Sequence, residues 1–143
     1  MKTSESKIRV RYAETDKMGF VYHANYYIWF EVSRADFIRI SGMTYKDMES
    51  QGVGMPVIST DCKYSTAAHY DDLLVIKASI EELTPVRIKF KYQVLRDEDN
   101  KRIAEGHTEH VFVNTTDGKP VNLKKKHIEL YELLCEFSRK EEI

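Results

Sequence analysis

The segment from Ala24 to Ile40 constrains the fold more than any other part of the sequence. Its pattern is helical, and apolar side chains occupy much of the helix circumference instead of a single stripe. Ser41-Gly42 follows, and glycine commonly ends a helix because it adopts the left-handed backbone conformation readily. A helix that is apolar on several sides has to be covered on several sides. The sequence therefore predicts a long helix enclosed by other elements.

Short stretches in which apolar and polar residues alternate supply that cover. One stretch, Ile8 to Tyr12, precedes the helix, and a second short helical pattern follows at residues 44–51. Period-two alternation is typical of strands with one buried face. It predicts four later strands, at residues 58–64, 74–80, 86–92 and 102–114. The strand face that we expect to cover the helix consists of Val86, Ile88, Phe90 and Tyr92.

The connections between the predicted strands are short. Asp71-Asp72 and the run from Arg96 to Asn100 are typical turn sequences, and Asp117-Gly118 leads out of the last strand. Short connections make neighbouring strands antiparallel. We therefore predict one α+β domain over residues 1–143, in which a curved antiparallel sheet wraps around one long central helix. A C-terminal helix is predicted at residues 124–139.

Charge and cysteine content bound the function. The chain has 22 Lys and Arg against 23 Asp and Glu, a balance that gives no overall attraction to nucleic acid or an anionic membrane. Cys62 and Cys135 form no CxxC pair, which argues against a disulfide framework or a zinc site. The N-terminal residues lack the apolar stretch of a signal peptide, and no segment has the length of a membrane span. These features predict a cytoplasmic protein without nucleic-acid partners or membrane insertion.

A carboxylate in a turn precedes the predicted long helix. Asp16 lies in the turn-like stretch from Ala13 to Gly19, a few residues before the helix start. A helix N-terminus offers unpaired N–H groups and a partial positive charge, which can hold a carbonyl oxygen as it becomes an oxyanion. Gly19 would let the loop fold back toward the helix. A base or nucleophile beside an oxyanion hole is the minimum for acyl transfer.

Each of these residues also has an ordinary structural interpretation. An Asp in a loop usually forms a turn, although Asp16 is too far from the helix start to be its N-cap. His23 fits a plain helix-start residue, and Tyr12 fits a packed strand aromatic. Glu31 and Arg34 stand three apart on the helix, which predicts an ordinary ion pair.

A spaced motif covers the first part of the chain: Tyr12, Glu14, Thr15, Asp16, Gly19, Val21, Tyr22, His23, Ala24, Tyr26, Glu31 and Arg34. This run resembles the signature of the 4-hydroxybenzoyl-CoA thioesterase family, within the hotdog-fold superfamily. It is most similar to the acyl-CoA thioesterase branch associated with the bacterial Tol–Pal system. Glu14 departs slightly, since the branch often has Asp there, and Lys17-Met18 replaces smaller residues. Further family-like stretches lie at residues 64–67, 70–72 and 117–120.

The resemblance implies a hotdog fold, hydrolysis of acyl-CoA thioesters, and assembly as a homodimer or a tetramer built as a dimer of dimers. It implies that Asp16 is catalytic and that the backbone N–H of His23 polarises the thioester carbonyl. The His23 side chain and Tyr12 belong to the implied site. No metal and no tightly held cofactor are implied.

Two routes and several competing activities stay open. Asp16 acts either as general base on a water or as a nucleophile that forms a mixed anhydride. The alternatives are a hotdog dehydratase or hydratase, a non-catalytic acyl-binding module, and an isomerase-like cone fold. The order Asp-x-x-Gly-x-Val-Tyr-His from Asp16 to His23 favours the thioesterase, and the acyl group is left open.

Basic residues on the predicted strands suggest where CoA lies. Arg87, Lys89 and Lys91 recur at every second position and therefore share one strand face. A solvated strand face is one interpretation. The other is that these residues, together with Lys63, contact the phosphates of CoA.

Overall fold

Five strands form one antiparallel sheet in the computed structural model, which describes residues 2–139. The strand order in this sheet is β1-β4-β5-β6-β3, and a short pair, β2 with β7, lies apart from it. The strands are β1 (Ser4–Arg9), β2 (Val53–Gly54), β3 (Val57–Tyr64), β4 (Leu73–Leu83), β5 (Arg87–Arg96), β6 (Arg102–Val111) and β7 (Val113–Asn114).

One long helix packs against the sheet. The helices are α1 (Asn25–Ile40), α2 (Tyr45–Ser50), α3 (Leu123–Lys126) and α4 (Ile128–Ser138). Helix α1 contacts β1, β4 and β5. Phe30 of α1 stacks on Tyr92 of β5 with ring centroids 4.4 Å apart, and Phe37 meets Phe90 edge-on at 5.6 Å. The predicted α+β arrangement of a sheet around a central helix is confirmed.

Gly106 on β6 allows α1 to approach the sheet closely. A Cβ atom at this position would lie 2.8 Å from the Phe30 ring and would overlap the carbonyl oxygen of Asp61 on β3. Real Cβ atoms do not make such contacts, so only glycine fits between the helix and these strands. Irregular register in the β4–β5, β5–β6 and β3–β6 pairs bends the strands further around the helix.

Several predicted elements have different bounds in the structure. The first strand ends at Arg9, and Tyr12 lies in a 3-10 turn (Tyr12–Glu14), because the Glu14 carboxylate accepts the Arg11 N–H at 2.8 Å. The predicted strand at 86–92 runs instead from Arg87 to Arg96, so Val86 lies outside it and is 38% exposed.

The last strand and the C-terminal helix are each interrupted. The predicted strand at 102–114 breaks at the buried residue Phe112, after which β7 pairs with β2. The predicted helix at 124–139 breaks at His127, which separates α3 from α4. Met1 and residues 140–143, the ends of the predicted domain, lie outside the described residues. Across residues 2–139, none of the helices combines the length and apolar character needed to span a membrane.

Candidate active site

A tight turn from Asp16 to Phe20, called here the carboxylate turn, holds the candidate catalytic group. The Asp16 N–H donates to the Phe20 carbonyl at 2.8 Å, and Gly19, at φ 81°, supplies the left-handed residue. Asp16 Oδ1 accepts the N–H groups of Met18 at 2.9 Å and Phe20 at 3.2 Å. Among residues 2–139, no protein donor binds Oδ2, so this oxygen is free for water or substrate.

Unpaired N–H groups stand at the start of α1. The Tyr22 carbonyl accepts the Asn25 N–H at 3.0 Å, and the His23 carbonyl accepts the Tyr26 N–H at 3.3 Å. Within the described part of the chain, the N–H groups of His23 and of the N-cap residue Ala24 have no protein acceptor. Such groups at a helix start carry partial positive charge and can hold an oxyanion.

One cavity of about 280 Å³ brings the carboxylate and the helix start together. Asp16 and His23 both line it, and aromatic rings form much of its wall. Residues 65–67 after β3 also line it, and the hydroxyl of Tyr64, the last residue of β3, donates to the His23 carbonyl at 3.3 Å. The complete lining is Asp16, Phe20, Val21, His23, Tyr26, Tyr64, Ser65, Thr66 and Ala67. Asp16 and the helix start at His23 therefore face one space, as the sequence predicts, and their catalytic roles stay a prediction.

Glu14 fastens the carboxylate turn to α1. The residue is 7% exposed, and its side chain accepts hydrogen bonds from the Arg11 N–H at 2.8 Å and from Trp29 Nε1 at 3.1 Å. Its carbonyl accepts the Tyr22 N–H and the Asn25 side-chain amide, both at 2.8 Å. Burial alone would raise the pKa of Glu14, but hydrogen bonds from Arg11 and Trp29 outweigh it and hold the pKa below its usual value.

The structure places Tyr12 outside this cavity. The residue is 73% exposed, and its ring stacks on that of Tyr70, with ring centroids 3.8 Å apart. Within one chain it therefore does not meet Asp16 across the cavity. Its role in the site stays a prediction.

The basic residues predicted to meet CoA lie on the sheet face opposite α1. Arg87 pairs with Glu109 at 3.6 Å, and Lys89 pairs with Glu81 at 3.7 Å. Lys91 is half-buried on the same strand, and Lys63 is exposed on β3. None of the four lines the cavity that holds Asp16.

The predicted ion pair between Glu31 and Arg34 is absent. Arg34 instead donates from Nε to the Tyr45 hydroxyl at 2.9 Å and from a terminal nitrogen to the Tyr92 hydroxyl at 3.2 Å. The two phenols lie beside the helix and accept the hydrogen bonds of the guanidinium, which the sequence predicted to pair with Glu31. Over residues 2–139, no group of three or more His, Cys, Asp or Glu side chains is arranged to hold a metal ion.

Comparison with known proteins gives consistent matches. Residues 10–130 match the family model described as the thioesterase-like superfamily. A Bacillus subtilis (strain 168) protein named "Putative acyl-CoA thioesterase YneP" is 36% identical over 125 residues, which cover 87% of this chain and 90% of that protein. The acyl-CoA thioesterase YbgC of Haemophilus influenzae is 33% identical over 91 residues, covering 63% of this chain and 67% of that protein.

A solved structure agrees with the fold. The crystal structure of DHNA-CoA thioesterase from Staphylococcus aureus superimposes with a TM-score of 0.89 at 34% identity, covering 95% of this chain and 91% of that chain. The predicted hotdog fold is thereby confirmed.

Proposed function

The chain belongs to the thioesterase-like superfamily, and from this premise we propose that it hydrolyses acyl-CoA thioesters to the free acid and CoA. One observation carries the proposal: Asp16, with a free carboxylate oxygen, lines the same cavity as the unpaired N–H groups at the start of α1. The names of the matched relatives support the same reaction.

The geometry suggests how the reaction proceeds. Asp16 Oδ2 takes a proton from water while the water oxygen bonds to the thioester carbonyl carbon. The carbonyl oxygen becomes an oxyanion that the N–H groups of His23 and Ala24 stabilise. The C–S bond then breaks, and CoA leaves as a thiolate that takes up the proton. In the alternative route the Asp16 carboxylate attacks the carbonyl carbon, the C–S bond breaks and CoA leaves as a thiolate; water then hydrolyses the mixed anhydride, which restores Asp16 and releases the acid and a proton for the thiolate.

We also infer that the chain lies closest to the branch associated with the Tol–Pal system. The support is the motif from Tyr12 to Arg34, including the order Asp16-x-x-Gly19-x-Val21-Tyr22-His23. A cytoplasmic location stays a prediction from the sequence.

The side chain of His23 is expected to matter less than Asp16. In a His23→Ala variant the backbone N–H survives, so oxyanion stabilisation is kept. We expect kcat to fall between about twofold and about tenfold, the range for the loss of one hydrogen bond. Steady-state thiol release from acyl-CoA measures this change. A loss as large as that of Asp16→Asn would show that the imidazole itself is essential.

We propose that two copies of the chain join through the edge strand β3. One side of β3 pairs with β6, and its other side is an open edge where Val57 and Ile58 are about half exposed, at 47% and 50%. An open, apolar edge is a template for pairing with another strand. Light scattering at micromolar concentration should give at least twice the 16.8 kDa of one chain. Ile58→Lys should weaken the assembly, and a monomeric wild-type protein would contradict the proposal.

Contact between CoA phosphates and Lys63, Arg87, Lys89 or Lys91 is a separate proposal. Under it, converting both Arg87 and Lys89 to Ser raises KM for acyl-CoA several-fold and leaves kcat unchanged, because the phosphates are remote from the bond that breaks. A truncated thioester that lacks the nucleotide is the control and should be unaffected. Ion pairs with Glu81 and Glu109 favour a solvated face instead, and an unchanged KM would establish it.

A further inference from the structure

A second cavity, of about 310 Å³, lies farther along α1 and shares no lining residue with the Asp16 cavity. Its volume is at the lower end of the range for small-molecule sites, about 300–1,000 Å³. Arg34 stands about 13 Å along the helix axis from Asn25, at about 1.5 Å per residue. The lining residues are Glu31, Arg34, Tyr45, Met48, Glu49, Val53, Gly54 and Met55.

The guanidinium of Arg34 is held in this cavity without a charged partner. It donates to the hydroxyls of Tyr45 and Tyr92, and across residues 2–139 it has no carboxylate oxygen within 4.0 Å. Burial raises the pKa of both tyrosines, so neither phenol supplies a negative charge near neutral pH. The positive charge of Arg34 is therefore not compensated by direct contact.

A buried hydrogen-bond chain fixes the direction in which Tyr92 bonds. His110 Nδ1 lies 3.0 Å from the Met55 carbonyl, and burial lowers the pKa of His110 to about 4, so the ring is neutral and donates from Nδ1. Nε2 then accepts from Thr108 at 2.8 Å, and Thr108 accepts from Tyr92 at 2.6 Å. The hydroxyl proton of Tyr92 is therefore donated to Thr108, so its oxygen can only accept from Arg34. This hydrogen bond holds the guanidinium in place.

Arg34 and Tyr45 have hydrogen-bond donors without a protein acceptor. Arg34 uses two of its five N–H bonds on the tyrosines, and three have no protein acceptor within the described chain. Tyr45 accepts from Arg34, and its own hydroxyl proton has no acceptor among the same residues. A group of free donors around a positive charge matches an anionic acceptor with two oxygens.

We propose that this cavity binds a carboxylate, which accepts hydrogen bonds from Arg34 and Tyr45. The apolar body of the ligand would lie against Met48, Val53 and Met55, and methionine side chains adapt readily to different shapes. Glu31 and Glu49 also line the cavity, and their charges make its net charge negative. A monoanion is therefore favoured over a dianion such as phosphate.

The carboxylate has two possible sources: a free carboxylic acid, or the far end of an acyl group that carries its own carboxylate. The second source rests on the proposed function and on antiparallel pairing of two β3 strands. Such pairing brings the start of one β3, next to Met55, beside the end of the other, next to Ser65. The Arg34 cavity of one copy would then adjoin the Asp16 cavity of its partner.

The methionine methyl groups give a direct test of binding. We expect hexanoate to shift the NMR signals of labelled Met48 and Met55 methyls saturably, while Met18 on the carboxylate turn stays unmoved. Hexanamide, the neutral isostere, and inorganic phosphate should give no saturable shift. Absence of the hexanoate shift, or an equal shift with hexanamide, would overturn the proposal whether or not the protein is a thioesterase.

Two variants assign the effect to the named donors. Tyr45→Phe should weaken hexanoate binding at least about tenfold, the effect of losing a hydrogen bond to a charged group, and Arg34→Met should abolish it. Tyr131→Phe on α4 is the matched control and should bind as wild type does. If the folded Tyr45→Phe variant and the folded Arg34→Met variant both bind hexanoate as tightly as wild type does, the assignment to these two donors is wrong.

Kinetics distinguish the two sources once binding is established. Adipoyl-CoA carries a distal carboxylate, and hexanoyl-CoA does not. If the acyl group supplies the carboxylate, Arg34→Met raises KM several-fold for adipoyl-CoA alone. If a free acid binds, Arg34→Met changes KM by the same factor for adipoyl-CoA and for hexanoyl-CoA. Either result supports the carboxylate site and names its source.

Discussion

Asp16→Asn should lower kcat for acyl-CoA hydrolysis at least about 100-fold, the lower end of the range for removing acid–base catalysis. The amide keeps the shape of the side chain, and its oxygen still accepts the N–H groups of Met18 and Phe20 that hold the carboxylate turn. The variant lacks a base and a nucleophile in either proposed route. Substrate binding and the fold should therefore be kept while turnover is lost.

A matched control lies in another turn of the same chain. Asp117 Oδ1 accepts the Lys119 N–H at 2.9 Å, just as Asp16 Oδ1 accepts the N–H two residues ahead. Asp117→Asn should therefore leave kcat unchanged, which separates catalysis from turn formation. Turnover of Asp16→Asn within a few-fold of wild type would mean that another group performs the chemistry.

Glu14→Ala is expected to lower kcat about tenfold or more, although Glu14 does not line the cavity. Its carboxylate holds Trp29 of α1 and the backbone of Arg11, so its removal leaves buried donors unpaired at a cost of about 1–3 kcal/mol. The segment before the carboxylate turn then loses its side-chain bond to Trp29 of α1, although the Glu14 carbonyl still accepts from Tyr22 and Asn25, and small displacements of catalytic groups lower rates steeply. Stopped-flow or steady-state thiol release at a matched folded fraction measures the effect.

Glu14→Gln is the control for this prediction. Trp29 Nε1 and the Arg11 N–H bond to different oxygens of Glu14, and the single oxygen of glutamine can accept from one of them, so part of the activity should return while the charge is absent. For Glu14→Ala we expect kcat to fall while KM changes little. If Glu14→Ala is folded and turns over within twofold of wild type, the Glu14 side chain has no role in positioning Asp16.

The arrangement of the sheet around the helix could be predicted because two periodicities in the sequence are strong. The apolar circumference of residues 24–40 predicts cover on several sides; the sheet around Phe90 covers one side, whereas Ile28, Val32 and Ile40 of α1 are exposed. Element bounds were less accurate because local hydrogen bonds compete with the pattern. Glu14 bonds to the Arg11 backbone and turns the chain at Tyr12, where alternation alone predicted a strand.

Part of the site depends on contacts between residues far apart in sequence. Asp16 and the start of α1 were predictable because they are close in the chain and belong to one motif. Tyr64 bonds to His23, which is 41 residues away in the sequence, and Trp29 bonds to Glu14, which is 15 residues away. No local pattern predicts contacts at these sequence separations. The sequence predicts that Arg34 pairs with its helical neighbour Glu31, but Arg34 bonds to Tyr92 on β5, which comes near only in the folded chain.

Thiol release from acyl-CoA by the purified protein tests the central claim most directly. With a panel of short aliphatic, medium-chain and aromatic acyl-CoA substrates and a thiol-reactive dye, we expect continuous turnover of at least one substrate, with one free acid formed for each thiol. The same assay on Asp16→Asn should show little release. If no substrate releases thiol while acyl-CoA still binds, the protein is an acyl-binding module. If the acyl group instead gains or loses water with the thioester intact, the protein is a hydratase or dehydratase and not a thioesterase.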